Sequence, residues 1–306
     1  MLNKIIISGA TGFIGQAVTF LLLKEGYEII GLSRNPEHYQ TLFQDKVKLI
    51  SWDAKSSKGW WELAEGSLAF INLAGENIGS GIWTRKKRER MIESRIDAGR
   101  AMTEAFVRIK EKPKIFVQAS AIGYYGNGSD QVLTENSERG QGFLADLTQQ
   151  WESSISGIDR SAVRVVIFRI GLVLGRNGGI LSKMSLPFRL YFGGHFGNGQ
   201  QWMSWIHLQD VAGALKFALE TDSIKSIINI VSPEPSRARL FFNKLGRVLH
   251  RPSWFHMPGR VLQVLPGEMA QETLLISQRV APKKLQASGY QFKFPDLGSA
   301  FSDILA

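Results

Sequence analysis

The chain has 306 residues, of which 44% are hydrophobic and 21% are charged, so it is long enough to bury a substantial core. It has no cysteine, which excludes disulfides, thiolate nucleophiles and zinc ribbons, and no two of its five histidines have the spacing of a helical metal-binding pair. The formal charge of +10 favours phosphorylated or otherwise anionic ligands.

Short apolar runs alternate with helical patterns along most of the chain. The predicted strands are Lys4–Ser8, Tyr27–Ser33, Val47–Trp52, Leu68–Leu73, Lys114–Ser120, Val163–Ile170 and Ser226–Val231. The predicted helices are Ile14–Lys24, Ser94–Lys110, Gly142–Gly157 and His207–Thr221. Continuous apolar strands that alternate with helices indicate a parallel sheet covered on both faces. The sequence therefore predicts the α/β class and a doubly wound Rossmann sheet.

The composition and pattern of the sequence change after the strand that ends at Ile170. Gly175–Gly179 and Gly193–Gly199 are rich in glycine, and the chain beyond Ser232–Pro235 is mostly helical. We therefore expect a Rossmann domain formed by residues 1–173 plus 206–231. Residues 174–205 plus 232–306 are expected to form a smaller, mostly helical C-terminal domain that builds a substrate cleft.

Neither a membrane span nor a secretion signal is predicted. No apolar run reaches the roughly 18–20 residues that a spanning helix needs. The apolar N-terminal run is broken by Ser8–Gly12 and lacks a signal-peptide cleavage site, so we expect a cytoplasmic protein. The densest basic run, Arg85–Arg90, is interpreted as a solvated helix start, with phosphate binding as the alternative.

A glycine-rich segment, Gly9–Gly15, stands directly between the first predicted strand and the first predicted helix. Its glycines permit a tight turn and let the backbone approach a pyrophosphate, while the N–H groups at the helix start bind the phosphates. That context makes the motif far more specific than a glycine triplet alone. It predicts a dinucleotide site, with a turn that binds nothing as the alternative.

Several motifs of this sequence also occur together in known proteins. Ala10–Gly15, Asn72–Gly75 and Trp205–Val211 resemble the corresponding segments of extended short-chain dehydrogenase/reductases, which include the nucleotide-sugar epimerases. A narrower likeness is carried by Asn72–Ile78, Glu93–Arg95, Ser120–Gly126, Trp151–Glu152, Leu186–Leu190 and Pro282–Leu285. Over nearly its whole length the chain is similar to an atypical "epimerase family protein" group. That group includes human and bacterial NADP-binding proteins and SulA-like factors of cell or plastid division.

The cofactor is predicted to be NADP(H) rather than NAD(H). The second strand ends in Ser33-Arg34, and no acidic residue follows until Glu37, whereas an NAD-binding domain has a carboxylate there. The Arg34 guanidinium can pair with a 2′-phosphate, although an ordinary surface arginine is the alternative. By resemblance Asp53 contacts the adenine edge, or else it caps its own loop.

Other cofactor contacts follow from the resemblance. It places Arg90 and Arg95 near the phosphates, with solvent-exposed helix charges as the alternative. No metal ligand is expected. The whole predicted cofactor site comprises Gly9, Thr11, Gly12, Phe13, Ile14, Gly15, Ser33, Arg34, Asp53, Leu73, Ala74, Gly75, Arg90, Arg95 and Val173.

The acid–base pair of the superfamily, Tyr-x-x-x-Lys, is missing. None of the six tyrosines is followed four residues later by lysine, and the Trp151–Glu152 anchor places Leu144 and Thr148 at the two positions. Ser120, Tyr124 and Tyr125 remain as candidate catalytic donors, with cleft packing as the alternative for the tyrosines.

Two functions follow from these observations. One is an NADP(H)-dependent oxidoreductase or epimerase acting on a small polar substrate held between the cofactor and the Gly193–His207 segment. The other is a non-catalytic regulator whose NADP(H) occupancy is read by a partner such as a division protein. The missing pair favours the regulator and the cleft motifs favour the enzyme. A nucleic-acid partner is not expected, because the basic residues do not alternate with stacking aromatics.

Overall fold

The computed structural model describes residues 3–176, 178–258 and 268–305. The strands are β1 (Lys4–Ser8), β2 (Glu28–Ser33), β3 (Val47–Ser51), β4 (Ala69–Asn72), β5 (Ile115–Ala121), β6 (Val132–Leu133), β7 (Arg164–Ile170), β8 (Leu172–Leu174), β9 (Gly194–Phe196), β10 (Trp202–Met203), β11 (Trp205–His207), β12 (Ser226–Ile230), β13 (Ser236–Arg237), β14 (Phe255–Met257) and β15 (Arg279–Val280). The helices are α1 (Phe13–Lys24), α2 (Arg85–Arg108), α3 (Phe143–Ser153), α4 (Leu181–Arg189), α5 (Leu208–Glu220), α6 (Ala238–Val248), α7 (Glu268–Thr273), α8 (Lys283–Ala287) and α9 (Leu297–Leu305).

Seven parallel strands form the central sheet, in the order β12-β7-β5-β4-β1-β2-β3. The order reverses between β1 and β4, which creates the crevice where doubly wound sheets bind ligands. The predicted α/β class and Rossmann sheet are confirmed.

Both faces of the sheet are covered, because successive side chains of each strand point to opposite sides. Ile5 and Ile7 of β1 pack into the core on the side of α1 and α5, whereas Ile6 packs with α2 on the other side. This is why the strands read as continuous apolar runs rather than as alternating ones.

The predicted elements differ from the observed ones mainly at α2. That helix begins at Arg85 rather than at Ser94, with the Thr84 hydroxyl accepting from the Lys87 N–H as its cap. Its first turns are polar, so they carry no apolar periodicity. The basic run Arg85–Arg90 is thus a helix start, as interpreted, but Lys87 within it is buried rather than solvated.

A second buried cluster lies away from the sheet and is built from α4, α6 and α9. It includes Leu181 and Phe188 of α4, Phe241 and Phe242 of α6, and Phe301 of α9. All members of the buried cluster fall within residues 174–205 and 238–304. This separate core supports the two-domain division, whose boundaries stay a prediction. Within the described ranges, no helix is both long and apolar enough to cross a membrane.

Candidate cofactor loop and substrate cleft

The glycine loop is fixed by two close backbone approaches. Gly9 has φ +69°, and a Cβ there would lie 3.0 Å from the Leu73 carbonyl carbon of the neighbouring turn. A Cβ on Gly15 would lie 2.0 Å from the Gly9 carbonyl oxygen, where no atom fits. These two glycines therefore allow β1, the loop and α1 to pack together.

Gly12 has a different environment from those two glycines. Its φ is −76°, and a Cβ there would meet only the Gly9 oxygen, at 3.2 Å. Gly12 is the N-cap of α1 and has no side chain to bond the helix. Among the described residues, no acceptor takes the N–H groups of Phe13, Ile14 and Gly15. Three donors without an acceptor thus lie at the positive end of the helix dipole, the arrangement that binds a phosphate.

The end of β2 lies beside this loop. The Thr11 and Ser33 hydroxyl oxygens are 3.4 Å apart, so the predicted loop and strand-end residues do meet. The Arg34 side chain is exposed and makes no hydrogen bond or ion pair with any residue that the structure describes. A guanidinium with all its donors available can pair with a 2′-phosphate.

The Asp53 carboxylate accepts hydrogen bonds from the backbone of its own loop. It accepts from the Lys55 and Ser56 N–H groups at 2.8 and 3.0 Å. Burial alone would raise the pKa of Asp53, but these backbone donors lower it. The loop-capping alternative is the one that the structure displays.

The turn after β4 is held by a buried amide network. The Asn72 Oδ1 accepts from the Ser8 hydroxyl at 2.5 Å, and its Nδ2 donates to Gln118 Oε1 at 2.9 Å. The ends of β1 and β4 are thereby tied to each other and to β5. The predicted contact residues Leu73, Ala74 and Gly75 come directly after Asn72 in the chain, so this network positions them.

Arg95 packs against that turn. It is only 6% exposed, and a Cβ on Gly75 would lie 3.1 Å from its guanidinium carbon. It donates to the Met91 and Glu76 carbonyls and lies 4.8 Å from the Trp151 ring, while its Nε has no partner within the described chain. Burial lowers the pKa of Arg95 to about 10, so it stays charged at neutral pH. Its alternative as an exposed helix charge is wrong.

Arg90, in contrast, is an exposed residue of α2. Its Nε lies 3.3 Å from Glu76 Oε1, which also accepts from the buried Lys87 ammonium at 2.6 Å. Glu76 thus holds the start of the β4–α2 loop against the helix. Arg90 contributes to that loop's position.

A cleft of about 630 Å³ opens beside the glycine loop at the carboxyl edge of the sheet. Phe13 of the loop lines it, and Phe13 is itself packed against Gly178 and Gly179, where Cβ atoms would come within 3 Å of the ring. Most of the lining is apolar: Ile78, Ala121, Ile122, Leu144, Leu147, Trp151, Ile170, Leu172, Val173, Ile180, Met184, Pro187, Phe196, Met203, Phe242, Met269, Leu274 and Ile276. This lining does not suit the small polar substrate expected from the sequence.

Leu144 and Thr148, which the Trp151–Glu152 anchor predicts at about the two acid–base positions, both line the cleft. The Thr148 hydroxyl donates to the Leu144 carbonyl at 2.7 Å. The other lining hydroxyls, on Ser204 and Thr273, also donate to backbone carbonyls. Every hydroxyl of the described lining therefore already donates a hydrogen bond to a backbone carbonyl of the protein.

Ser120 points away from the cleft, whereas its neighbour Ala121 lines it. The buried Ser120 hydroxyl donates to Glu152 Oε1 at 2.7 Å, and Glu152 forms a two-bond ion pair with buried Arg169, at 2.8 and 2.9 Å. Burial alone would lower the pKa of Arg169, but the Glu152 hydrogen bonds raise it above its usual value. Ser120 thus belongs to a buried ion-pair cluster.

The two tyrosines complete that cluster. The Arg169 guanidinium carbon lies 3.3 Å from the Tyr124 ring centroid and 5.0 Å from that of Tyr125. The Tyr125 hydroxyl donates to Asn229 Oδ1 at 2.7 Å, and burial raises its pKa. Neither tyrosine belongs to the described lining of the cleft. This placement speaks against the predicted donor roles and favours packing.

Two charged residues of the lining carry no sequence signal that singles them out. Lys183 of α4 donates to the Gly79 carbonyl across the cleft mouth, and it is the only cation in the described lining. Glu272 of α7 accepts from the Phe143 and Leu144 N–H groups at 3.1 and 3.2 Å and so caps α3. Both come from long-range packing, which no local pattern reveals.

The Trp205–Val211 motif has a structural role. His207 is the N-cap of α5 and accepts from the Gln209 N–H, while burial lowers its pKa. The buried Asp210 carboxylate accepts from the Lys293 and Phe294 N–H groups at 2.7 and 3.0 Å. The motif therefore fixes the segment that leads into α9.

Comparison with known proteins agrees with this architecture. Residues 5–230 match the model of the NAD dependent epimerase/dehydratase family, and residues 257–304 match a domain of unknown function. The chain belongs to the NAD dependent epimerase/dehydratase family. The resemblance predicted from the motifs is confirmed.

Relatives match over the whole chain. Epimerase family protein YfhF of Bacillus subtilis is 36% identical, covering 99% of this chain and 98% of that protein. The crystal structure of human epimerase family protein SDR39U1 (isoform 2) with NADPH has a TM-score of 0.87 at 31% identity, covering 98% of each chain. UDP-glucuronic acid 4-epimerase from Bacillus cereus, with a TM-score of 0.78 at 18% identity over 98% of this chain and 96% of that one, shares the fold.

Proposed function

We propose that this chain is an NADP(H)-dependent reductase that acts on an apolar, conjugated carbonyl compound. The observation that carries the proposal is the apolar cleft directly beside a glycine loop whose helix N–H groups have no acceptor among the described residues. A solved structure of human SDR39U1, 31% identical to this chain, was obtained with NADPH.

The cofactor fits the residues at the sheet edge. The N–H groups of Phe13, Ile14 and Gly15 would hold the pyrophosphate, and Arg34 would pair with the 2′-phosphate. Bound there, NADPH supplies hydride. Phe13 and Val173 line the cleft, so they would orient the reactive ring and exclude water from it.

The chain's own residues favour reduction over epimerisation. Epimerisation begins with oxidation of the sugar hydroxyl and needs a base, but Leu144 and Thr148 replace the base and its lysine. Reduction adds hydride to the electrophilic carbon and leaves a negative charge on the acceptor. The Lys183 ammonium can stabilise that charge and donate a proton, since it keeps N–H donors beyond the one given to Gly79. A conjugated acceptor spreads the charge and so places less demand on a strong acid.

The test is NADPH oxidation across a panel of enones, quinones and apolar ketones, compared with nucleotide sugars. Lys183→Met should lower turnover about 10²–10³-fold, as expected for loss of one charge-stabilising donor. NADPH affinity should not change, and the exposed Lys24→Met serves as the matched control. Full turnover in Lys183→Met would remove the lysine from the proposal, and turnover confined to nucleotide sugars would overturn the acceptor class.

The second candidate is a non-catalytic NADP(H)-dependent regulator. The apolar Leu144 and the engaged Thr148 at the acid–base positions favour it. It predicts NADPH binding without turnover on any compound of the panel, together with a conformational change that calorimetry and limited proteolysis would detect. A division protein as its partner stays a hypothesis, without support from the relatives.

A further inference from the structure

An exposed apolar surface lies at the end of α4, outside the cleft. Five large side chains there are between 56% and 65% exposed: Leu186, Leu190, Tyr191, Phe192 and Trp254. A soluble surface normally scatters such residues singly, whereas a contiguous group marks an interaction site. We call these five side chains the α4 surface.

Contacts between two chain segments join this surface. The Trp254 indole donates to the Tyr191 carbonyl at 3.0 Å, and Phe255 packs edge-on to both Phe192 and Trp254. Beneath them, Phe188 of α4 stacks on Phe242 of α6 with ring centroids 6.3 Å apart. The exposed side chains are thus held on a packed base.

The two segments that build the α4 surface carry charge of one sign only. Segments 181–192 and 238–258, which build it, contain no Asp or Glu and carry the cations Lys183, Arg189, Arg239, Lys244, Arg247 and Arg251. Helical spacing places Lys244 and Arg247 on the exposed side of α6, and Arg251 lies 4.7 Å from the Tyr191 ring. Arg189 and Arg247 make no ion pair with any described residue, while Lys244 helps to lower the pKa of the Asp296 carboxyl.

We propose that the α4 surface docks the protein on the surface of an anionic lipid membrane. Exposed tryptophan, tyrosine and phenylalanine prefer the headgroup boundary, and basic side chains add attraction to anionic lipid. Buried apolar area and attraction to anionic lipid add to the strength of interfacial binding, and this surface supplies both. A second copy of this chain fits less well, because the same basic surface would then face itself and repel.

The test is co-sedimentation of the full chain with vesicles of phosphatidylcholine, with and without phosphatidylglycerol. We expect binding only to the anionic vesicles, weakening as salt rises. Arg189→Gln with Arg247→Gln should reduce binding about 25-fold, roughly five-fold for each cation removed. The matched control is Lys86→Gln with Arg100→Gln, two exposed cations of α2.

The apolar part is tested separately by Phe192→Ser with Trp254→Ser. Binding should fall at least about ten-fold, whereas Ile82→Ser with Val107→Ser, which are 76% and 62% exposed elsewhere, should leave it unchanged. NADPH affinity should be the same in all variants, because none of these residues lines the cleft. Absence of binding to anionic vesicles, equal loss in the control pairs, or a lipid-independent dimer that the serine variants abolish would each overturn the proposal.

Discussion

The glycine loop and the β5–α3 region lie at the same edge of one sheet, but they differ in what their polar groups do. At the loop, three helix N–H groups and the Arg34 guanidinium have no partner among the described residues. At β5 and α3, the Ser120 hydroxyl donates to the Glu152 carboxylate, which also accepts from Arg169. The first region is arranged for a ligand and the second is satisfied internally.

Cofactor binding and acid–base chemistry are therefore separable in the fold. The Phe13 and Ile14 N–H groups belong to partly exposed residues, so water can satisfy them when no phosphate is bound. A buried serine and carboxylate, in contrast, must find partners inside the protein. Here Arg169 supplies the partner, so the residues that resemble a catalytic group instead hold the strand end.

The largest effect is expected for Gly12→Val, which tests the glycine loop as the phosphate-binding site. The branched side chain would occupy the space that faces the helix N–H groups, while the backbone φ of −76° stays allowed. NADPH affinity should fall at least about 100-fold, roughly 3 kcal/mol, by isothermal calorimetry. The thermal unfolding midpoint should fall less than in Gly15→Ala, because a Cβ at Gly12 would lie 3.2 Å from the Gly9 oxygen rather than 2.0 Å.

Gly15→Ala makes the matched comparison. Its Cβ would lie 2.0 Å from the Gly9 oxygen, so this smaller change should destabilise the fold itself. If Gly12→Val binds NADPH at full strength, or if Gly15→Ala unfolds no more easily than the parent, the assignment of roles within the loop is wrong.

The sequence predicts the cofactor region better than the cleft, for physical reasons. The loop's function lies in backbone groups, so glycine spacing between a strand and a helix is enough to locate it. The side on which Ser120 projects depends on strand register, and one residue decides whether the serine or Ala121 faces the cleft. Arg95 shows the same limit, since its burial depends on Gly75 and Trp151, which are distant in the chain.

A smaller effect is expected from Arg34→Ala. Loss of a charge-assisted hydrogen bond to the 2′-phosphate should weaken NADPH binding by about 1–3 kcal/mol. NADH lacks that phosphate, so its affinity should hardly change, and calorimetry with both cofactors measures the difference. Lys48→Ala, an exposed cation of β3, is the control for general charge loss. Equal weakening of NADPH and NADH would contradict the role of Arg34.

The smallest effect is expected from Ser120→Ala, and it separates the two regions most sharply. Removing the hydroxyl deletes one hydrogen bond to Glu152, which keeps both bonds to Arg169. The free energy of unfolding in urea should therefore fall by only about 1 kcal/mol. Turnover and NADPH affinity should be unchanged, because Ser120 does not face the cleft. A turnover loss of about 10²-fold or more with unaltered stability would instead show that Ser120 donates to the substrate, and the β5–α3 region would then be catalytic after all.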